Sequence, residues 1–372
     1  MVQFAYNAGN LPTTPQRKTE MDRAKKTKTK ATLRNSRATI IDVAEQAGVH
    51  WSTVSRALNP AKRHLISSEM IERISACVEE LGYRQNAMAS ALRTQKTRTI
   101  GVIVSNLGDP IHPPIVRAIE DRFGEIGYVA FVGNTDNDSE REAALIDRFI
   151  SQGVDGLIVA TFKLKDPLVD KCLQAGVPTV AVFRDPERPE IPSVRVDDAK
   201  AMAQAVRHLA ALGHRRIAHV GGPQNVSTGR NRYRGFRRAH LAAFGAGNAV
   251  LATFGNAFTV DDGRTACDQL LDQHPTITAI VAGNDMLAIG CLSAFHQRGV
   301  ACPGDISLIG MNDMLFMDAV NPPLTTMRTP SRELGLQAAN FLIDLIDGKT
   351  IEKGKRVLPS DLIVRSSSRT IG

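Results

Sequence analysis

Aromatic residues make up only 5% of this 372-residue chain, and Trp51 is its one tryptophan. No apolar run approaches the ~20 residues that a membrane-spanning helix needs. The N-terminus also lacks a charged-then-apolar signal pattern, because its basic run starts at Arg17 and leads into polar residues. A cytoplasmic protein is expected. The five cysteines (Cys77, Cys172, Cys267, Cys291 and Cys302) are scattered, with no C-x-x-C pair. That spacing disfavours a structural metal and suits free thiols in a reducing compartment; no metal and no cofactor is expected. Neither G-x-G-x-x-G nor G-x-x-x-x-G-K-[ST] opens any βα unit, and Gly221-Gly222-Pro223 reads as a strand-end turn. No Ser/His/Asp or paired-carboxylate arrangement stands out by spacing, so an enzyme is not expected.

What is present is an uneven distribution of charge. The first 97 residues hold sixteen Lys and Arg against eight Asp and Glu, whereas the remaining 275 hold thirty of each. All of the net charge of +8 therefore lies at one end, as contact with a phosphate backbone requires. Residues 1–37, rich in Asn, Pro, Thr and Lys with few apolar residues, read as a disordered basic tail.

Within the basic end, Thr39 to Asn59 reads TIIDVAEQAGVHWSTVSRALN. Thr39 suits a helix N-cap with Asp42 as its capping partner, and Ile40, Val43, Ala44 and Ala47 recur at helical spacing. Gly48 then ends the helix in a left-handed conformation that a side chain would disfavour. A second helix follows from His50, with Val54, Ala57 and Leu58 inward and Trp51, Ser52, Ser55 and Arg56 outward. Two short helices around a glycine turn, the second with a polar and cationic face, describe a helix-turn-helix. Ser67 caps a third helix that carries Met70, Ile71, Ile74, Cys77, Val78 and Leu81 and closes at Gly82. An all-α headpiece is expected over 38–82, then a linker over 83–98 too short to hold a helix alone.

From Thr99 the texture becomes α/β. Runs such as IGVIVS, YVAFVGN, DGLIVA, PTVAVF, RIAHVGG, TAIVAG and ISLIG alternate with amphipathic segments of helical length. Runs that are apolar throughout imply parallel strands covered on both faces. The alternation occurs twice, which predicts a multidomain chain whose α/β core, 99–372, has two doubly wound parallel-sheet subdomains and a ligand cleft between them.

Taken in order, these segments resemble the lactose/galactose-repressor family of bacterial transcriptional regulators. The resemblance runs from Thr39 to about Ser368 through ELGYRQNAMASAL, TIGVIV, SQGVDGLIVA, HLAALGHRRIAHVGG, AGNDMLAIG, PGDISLIGMND, NPPLTTMRTP and DLIVRSSS. It implies a repressor that binds a near-palindromic double-stranded operator as a homodimer and is switched by a small-molecule effector. The core would then have the periplasmic-binding-protein-like fold, with an N-subdomain of about 99–197 and 330–356 and a C-subdomain of about 198–329 and 357–372. The three crossings fall near Asp197, Thr329 and Arg356. The chain carries no heptads after its last strand, which favours a dimer. A transporter's solute-binding protein shares the core fold but has no such headpiece.

The resemblance also carries residues over. Trp51, Ser52 and Arg56 match base-reading positions, Thr53, Ser55 and Asn59 suit phosphate contacts, and Thr39 is a further DNA-binding candidate. In the linker Asn86, Ala89 and Leu92 match a hinge helix that forms on DNA, with Leu92 as a wedge in the minor groove. Gln85 stands where the family usually has proline, which removes a fixed φ at the helix entry. The effector contacts implied are His112, Arg184, Arg232, Phe258, Asn284, Asp285 and Asn312. Asn312 and Phe183 occupy two positions where the family often has aspartate, while Arg184 and Arg232 remain. A more cationic cleft is expected, and with it a carbohydrate-like effector with an anionic group, such as a sugar acid or sugar phosphate.

Overall fold

A computed structural model describes residues 38–84, 96–351 and 354–371. The chain divides into two compact units, one up to Asn86 and one from Ala87.

The first unit is built on α1 (Ile40–Ala47), α2 (Trp51–Ala57), a 3-10 turn (Pro60–Leu65) and α3 (Ser68–Glu80). Thr39 and Asp42 form a capping box: the Thr39 backbone N donates to Asp42 Oδ2 at 2.7 Å, and Asp42 N donates to Thr39 Oγ1 at 3.4 Å. Gly48 stands at φ 63, so Val49 N reaches back to Ala44 O at 3.0 Å and Gly48 N to Glu45 O at 3.2 Å. This tight left-handed cap turns the chain sharply into α2. Val43, Val54 and Ile74 are fully buried where the three helices meet, with Ala44, Ala47, Ala57 and Cys77 filling the gaps between them.

The second unit has two six-stranded sheets of matching topology. The strands of the first are β1 (Thr99–Val104), β2 (Val129–Asn134), β3 (Gly156–Val159), β4 (Thr179–Val182), β5 (Ser193–Val196) and β11 (Lys355–Leu358), in the order β11-β5-β4-β3-β1-β2. Those of the second are β6 (Ile217–Gly221), β7 (Leu251–Phe254), β8 (Ala279–Ala282), β9 (Ser307–Asn312), β10 (Thr325–Arg328) and β12 (Asp361–Ile363), in the order β12-β10-β9-β8-β6-β7. All pairings are parallel except β12 with β10. Helices α4 (His112–Gly124), α5 (Ser139–Ser151), α6 (Leu168–Gln174) and α11 (Ser331–Ile346) belong with the first sheet. Helices α7 (Asp198–Ala211), α8 (Ser227–Phe244), α9 (Val260–Gln273) and α10 (Asp285–Arg298) belong with the second. Strands β3, β4, β8 and β9 are buried along their whole length, which is why they read as unbroken apolar runs.

The chain changes halves after β5, where Asp197 caps α7, and after β10, ahead of α11. The third change differs from the expected one. Arg356 lies inside β11, paired with Val194 of the first sheet, and the crossing falls at 359–360. Strands β5, β7, β10, β11 and β12 were absent from the sequence reading. Each has at most four residues, and β11 and β12 are half-exposed with charged residues among them.

Gly48→Ala should destabilise the headpiece by about 1–2 kcal/mol, because the left-handed conformation then carries a Cβ. Urea unfolding followed by Trp51 fluorescence should show an earlier transition, with far-ultraviolet dichroism of the core unchanged. An unmoved Trp51 transition would show that the turn does not need glycine.

Candidate functional site

Two surfaces carry the residues singled out by sequence. On the headpiece, α2 exposes Trp51, 51% accessible, and Arg56, while Ser52, Thr53 and Ser55 are half-buried beside them. His50 caps the helix: its Nδ1 accepts from Ser52 N at 3.3 Å and lies 2.8 Å from Ser52 Oγ. The Thr39 hydroxyl is engaged with Asp42 Oδ2 at 2.8 Å in the box that starts α1. Asn59 follows α2, and Lys62, Arg63 and His64 are exposed in the next turn. This continuous polar and cationic face carries no ion pair among the described residues. Gln85, Asn86, Ala89 and Leu92, and residues 1–37, lie outside the described residues.

The second surface is a cavity of about 160 Å³ between the two sheets of the core, at the C-terminal ends of their strands. Open α/β sheets bind ligands at such ends. Six of the seven effector candidates line it: His112, Arg184, Arg232, Phe258, Asn284 and Asn312. Asp285 does not. It is fully buried beneath the floor, where its Oδ1 accepts from Thr326 Oγ1 at 2.6 Å and its Oδ2 from Met314 N at 2.8 Å. Its carboxylate therefore ties α10 to β10 and to the loop after β9, beneath the cavity and outside its lining. Burial pushes Asp285 up to about 6 despite these two bonds.

Each lining residue is held by the element that presents it. Asn284 caps α10, with its Oδ1 accepting from Leu287 N at 2.9 Å, so its amide nitrogen remains for the cavity. Asn312 closes β9 at φ 118 and accepts from Thr329 Oγ1 at 3.2 Å. His112 opens α4 with Nε2 3.0 Å from Ser105 Oγ. Burial, reinforced by the nearby Arg184 charge, holds His112 down to about 3, so it is neutral at physiological pH. Arg232 is the largest fully buried side chain. Its Nε donates to Asp198 at 2.8 Å and its Nη1 to Gly283 O at 2.7 Å. The guanidinium lies 5.7 Å from the Phe183 ring centre and 5.8 Å from that of Phe258, within cation–π range of both. Gly222 makes room for Phe258, because a Cβ there would fall 2.2 Å from the ring.

The cavity also holds charge that the sequence reading lacked. Asp109, Glu142 and Lys163 line it, so the expected excess of positive charge is largely offset. Burial raises both carboxyl groups above their ordinary values. Glu142 accepts from Thr161 Oγ1, and Asp109 accepts from Ile111 N at 3.1 Å. Across the cavity mouth the two halves touch: Leu164 N donates to Asn225 O at 2.9 Å, Asp185 N to Ser227 Oγ at 2.8 Å, and Arg230 pairs with Glu187. A cavity walled by two sheets, rich in amides and charges with aromatic rings to one side, is suited to a small polar molecule.

Comparison with known proteins gives these surfaces a context. Residues 39–86 match the model for bacterial regulatory proteins of the lacI family, and residues 206–368 match the periplasmic binding protein-like domain. The HTH-type transcriptional repressor CytR of Escherichia coli (strain K12) is 32% identical over 346 residues, 92% of this chain and 99% of CytR. The chain belongs to the lacI family of bacterial regulatory proteins. The HTH-type transcriptional regulator CelR of Thermobifida fusca is 33% identical over 90% of this chain and 99% of its own length. The lac repressor dimer bound to operator and the anti-inducer ONPF superposes with a TM-score of 0.80 at 28% identity, over 90% of this chain and all of that one. A CelR–cellobiose complex does so at 0.68 with 31% identity, over 89% and all of it. As a lacI-family member the chain is a DNA-binding transcriptional regulator, with the helix-turn-helix headpiece and the two-subdomain α/β core of that family.

Two buried histidines make core stability depend on pH. His219 in β6, stacked on Phe236 with ring centres 5.0 Å apart, is held down to about 4 by burial, and His112 to about 3. A base whose folded value is depressed stabilises the fold above its unfolded value of about 6.5 and loses that contribution as pH falls toward the folded value. His219→Phe keeps a stacked ring and removes the proton. Between pH 6.5 and about 4 the wild-type core should lose stability to acid faster than this variant, by about 1.4 kcal/mol per pH unit. Parallel urea-midpoint profiles would show that His219 titrates normally in the fold.

Proposed function

We propose that this lacI-family regulator is a repressor: a homodimer that binds a near-palindromic operator through α2 and is switched by a carbohydrate-like molecule bound, without turnover, in the core cavity. The observation that carries the proposal is the pairing of an exposed cationic helix face with a polar cavity lined by both subdomains. Trp51, Ser52 and Arg56 would meet base edges in the major groove, with arginine suited to a bidentate contact with guanine. Thr39, Thr53, Ser55 and Asn59 would position the helix against phosphates. Asn86, Ala89 and Leu92 would act as a hinge on the DNA. The lac repressor is bound to operator DNA and CelR to cellobiose in the complexes that resemble this chain, which supports both ends of this reading.

In the cavity the amides of Asn284 and Asn312 offer donors, Asp109 and Glu142 offer acceptors, and Phe258 offers an apolar face. That combination fits a ring bearing several hydroxyl groups. A ligand touching both walls favours one relative setting of the subdomains, and only such a differential affinity can shift the regulator between states.

A dimer interface is supported by β2, which lies at the edge of its sheet and exposes Val129, Phe131 and Val132. Uncovered apolar edge strands invite pairing with another chain. Phe131→Asp should lower the mass in sedimentation equilibrium from dimer to monomer and weaken operator binding; an unchanged mass would exclude β2 from the interface. Arg56→Ala should cost about 1–3 kcal/mol at one operator position and relax base preference there. An equal loss on every DNA sequence would reduce Arg56 to a phosphate contact.

A further inference from the structure

Each wall of the cavity contributes one arginine, and the two are not equivalent. Arg232, from the second half, is compensated by Asp198 and retains one unpartnered nitrogen, Nη2. Arg184, from the first half, is 8% exposed and takes part in no ion pair among the described residues. Its Nη1 donates to Thr161 O at 3.1 Å, and its Nε has no partner. A buried guanidinium without a counter-ion in contact is only partly compensated by the more distant Glu142 and Asp109, and an anion that touches it relieves the remaining cost.

The backbone is strained where this arginine enters. Phe183 stands at φ 67, and Arg184 N donates to Val182 O at 2.7 Å across it. This is a γ-turn of the rare, strained hand, a conformation that persists where the surrounding structure enforces it. The same bend sets the Phe183 ring near the Arg232 guanidinium.

We propose that the effector carries one anionic group, a carboxylate or phosphate, received by Arg184 from one subdomain and by Arg232 Nη2 from the other. The proposal rests on reading this cavity as the effector site. The two lining carboxylates attract Arg184 from a distance without closing an ion pair on it, and each has an oxygen engaged by the protein. They face the remainder of the ligand, where hydroxyl groups can donate to them. Burial lowers Arg184 only to about 10, so it stays charged at neutral pH. An anion held between the two arginines would connect the subdomains directly, which gives its binding leverage over their closure.

Sulfate is a suitable probe. The full chain is melted in sodium sulfate and in sodium chloride at matched ionic strength, with the core transition followed by far-ultraviolet dichroism. The wild type should show a saturable rise in midpoint with sulfate beyond its general salting effect. Arg184→Met should weaken that response roughly tenfold or more, while Arg184→Lys, which keeps the charge, should retain most of it. Arg56→Ala, which removes a headpiece cation, should respond as the wild type does. The same assay with glucuronate, glucose 6-phosphate and glucose assigns the group: a larger shift with the first points to a carboxylate, and with the second to a phosphate. An identical sulfate response in wild type and Arg184→Met overturns the proposal, as does glucose matching both anions. Failure of the chain to bind DNA from its own upstream region would instead overturn the regulatory reading and leave the sulfate result standing.

Discussion

The ligand face of the core depends on one buried charge. Arg232 reaches from α8 to Asp198 at the start of α7 and to Gly283 O at the end of β8. A single guanidinium thus fixes two helices and a strand end around the cavity floor. Removing either partner of such a pair strands a charge in a low-dielectric site, which costs several kcal/mol, so the arrangement is specific even where its net stabilisation is modest. Packing reinforces it from above. The rings of Phe183 and Phe258 flank the guanidinium and leave Nη2 as its one unpartnered nitrogen among the described residues.

From that anchor the logic of a switch follows. The cavity is walled by residues of both halves, and the halves already meet at its mouth through Leu164 with Asn225, Asp185 with Ser227 and Glu187 with Arg230. These contacts are few and polar, and three chain crossings are all that joins the halves covalently. A ligand that touches both halves can reset their relative setting only by as much as its affinity differs between the two settings. The headpiece has its own small core around Val43, Val54 and Ile74, which keeps α2 rigid as a reading head.

Much of this was legible in the sequence, and the failures have physical causes. The headpiece could be read because capping chemistry is local: Thr39, Asp42 and Gly48 act within one turn of themselves. The central strands could be read because burial on both faces keeps them mostly apolar, with polar residues such as Thr179, His219 and Ser307 few among them. Edge strands such as β11 and β12 mix charged and apolar residues, because one side of each lies outside the sheet. Asp285 was misread because adjacency in the motif says nothing of direction: Asn284 turns toward the cavity as a cap, and the next residue points into the floor. Glu142 was missed because an acid in the first turn of an amphipathic helix has the pattern of a solvated face, whereas here it is buried against Thr161. Only tertiary structure brings the ends of β3 and β4 and the start of α5 to one place.

The most direct test of the account is the salt dependence of binding between the intact chain and its own upstream DNA, measured with and without the molecule that occupies the cavity. A regulator using the α2 face should show log K falling steeply and linearly with log salt, with a slope near −0.9 per phosphate neutralised. Addition of the cavity ligand should shift the operator curve while leaving non-specific DNA nearly unaffected. Affinity indifferent to salt, or a ligand that moves both DNAs equally, would contradict the coupling of cavity to headpiece on which the whole reading rests.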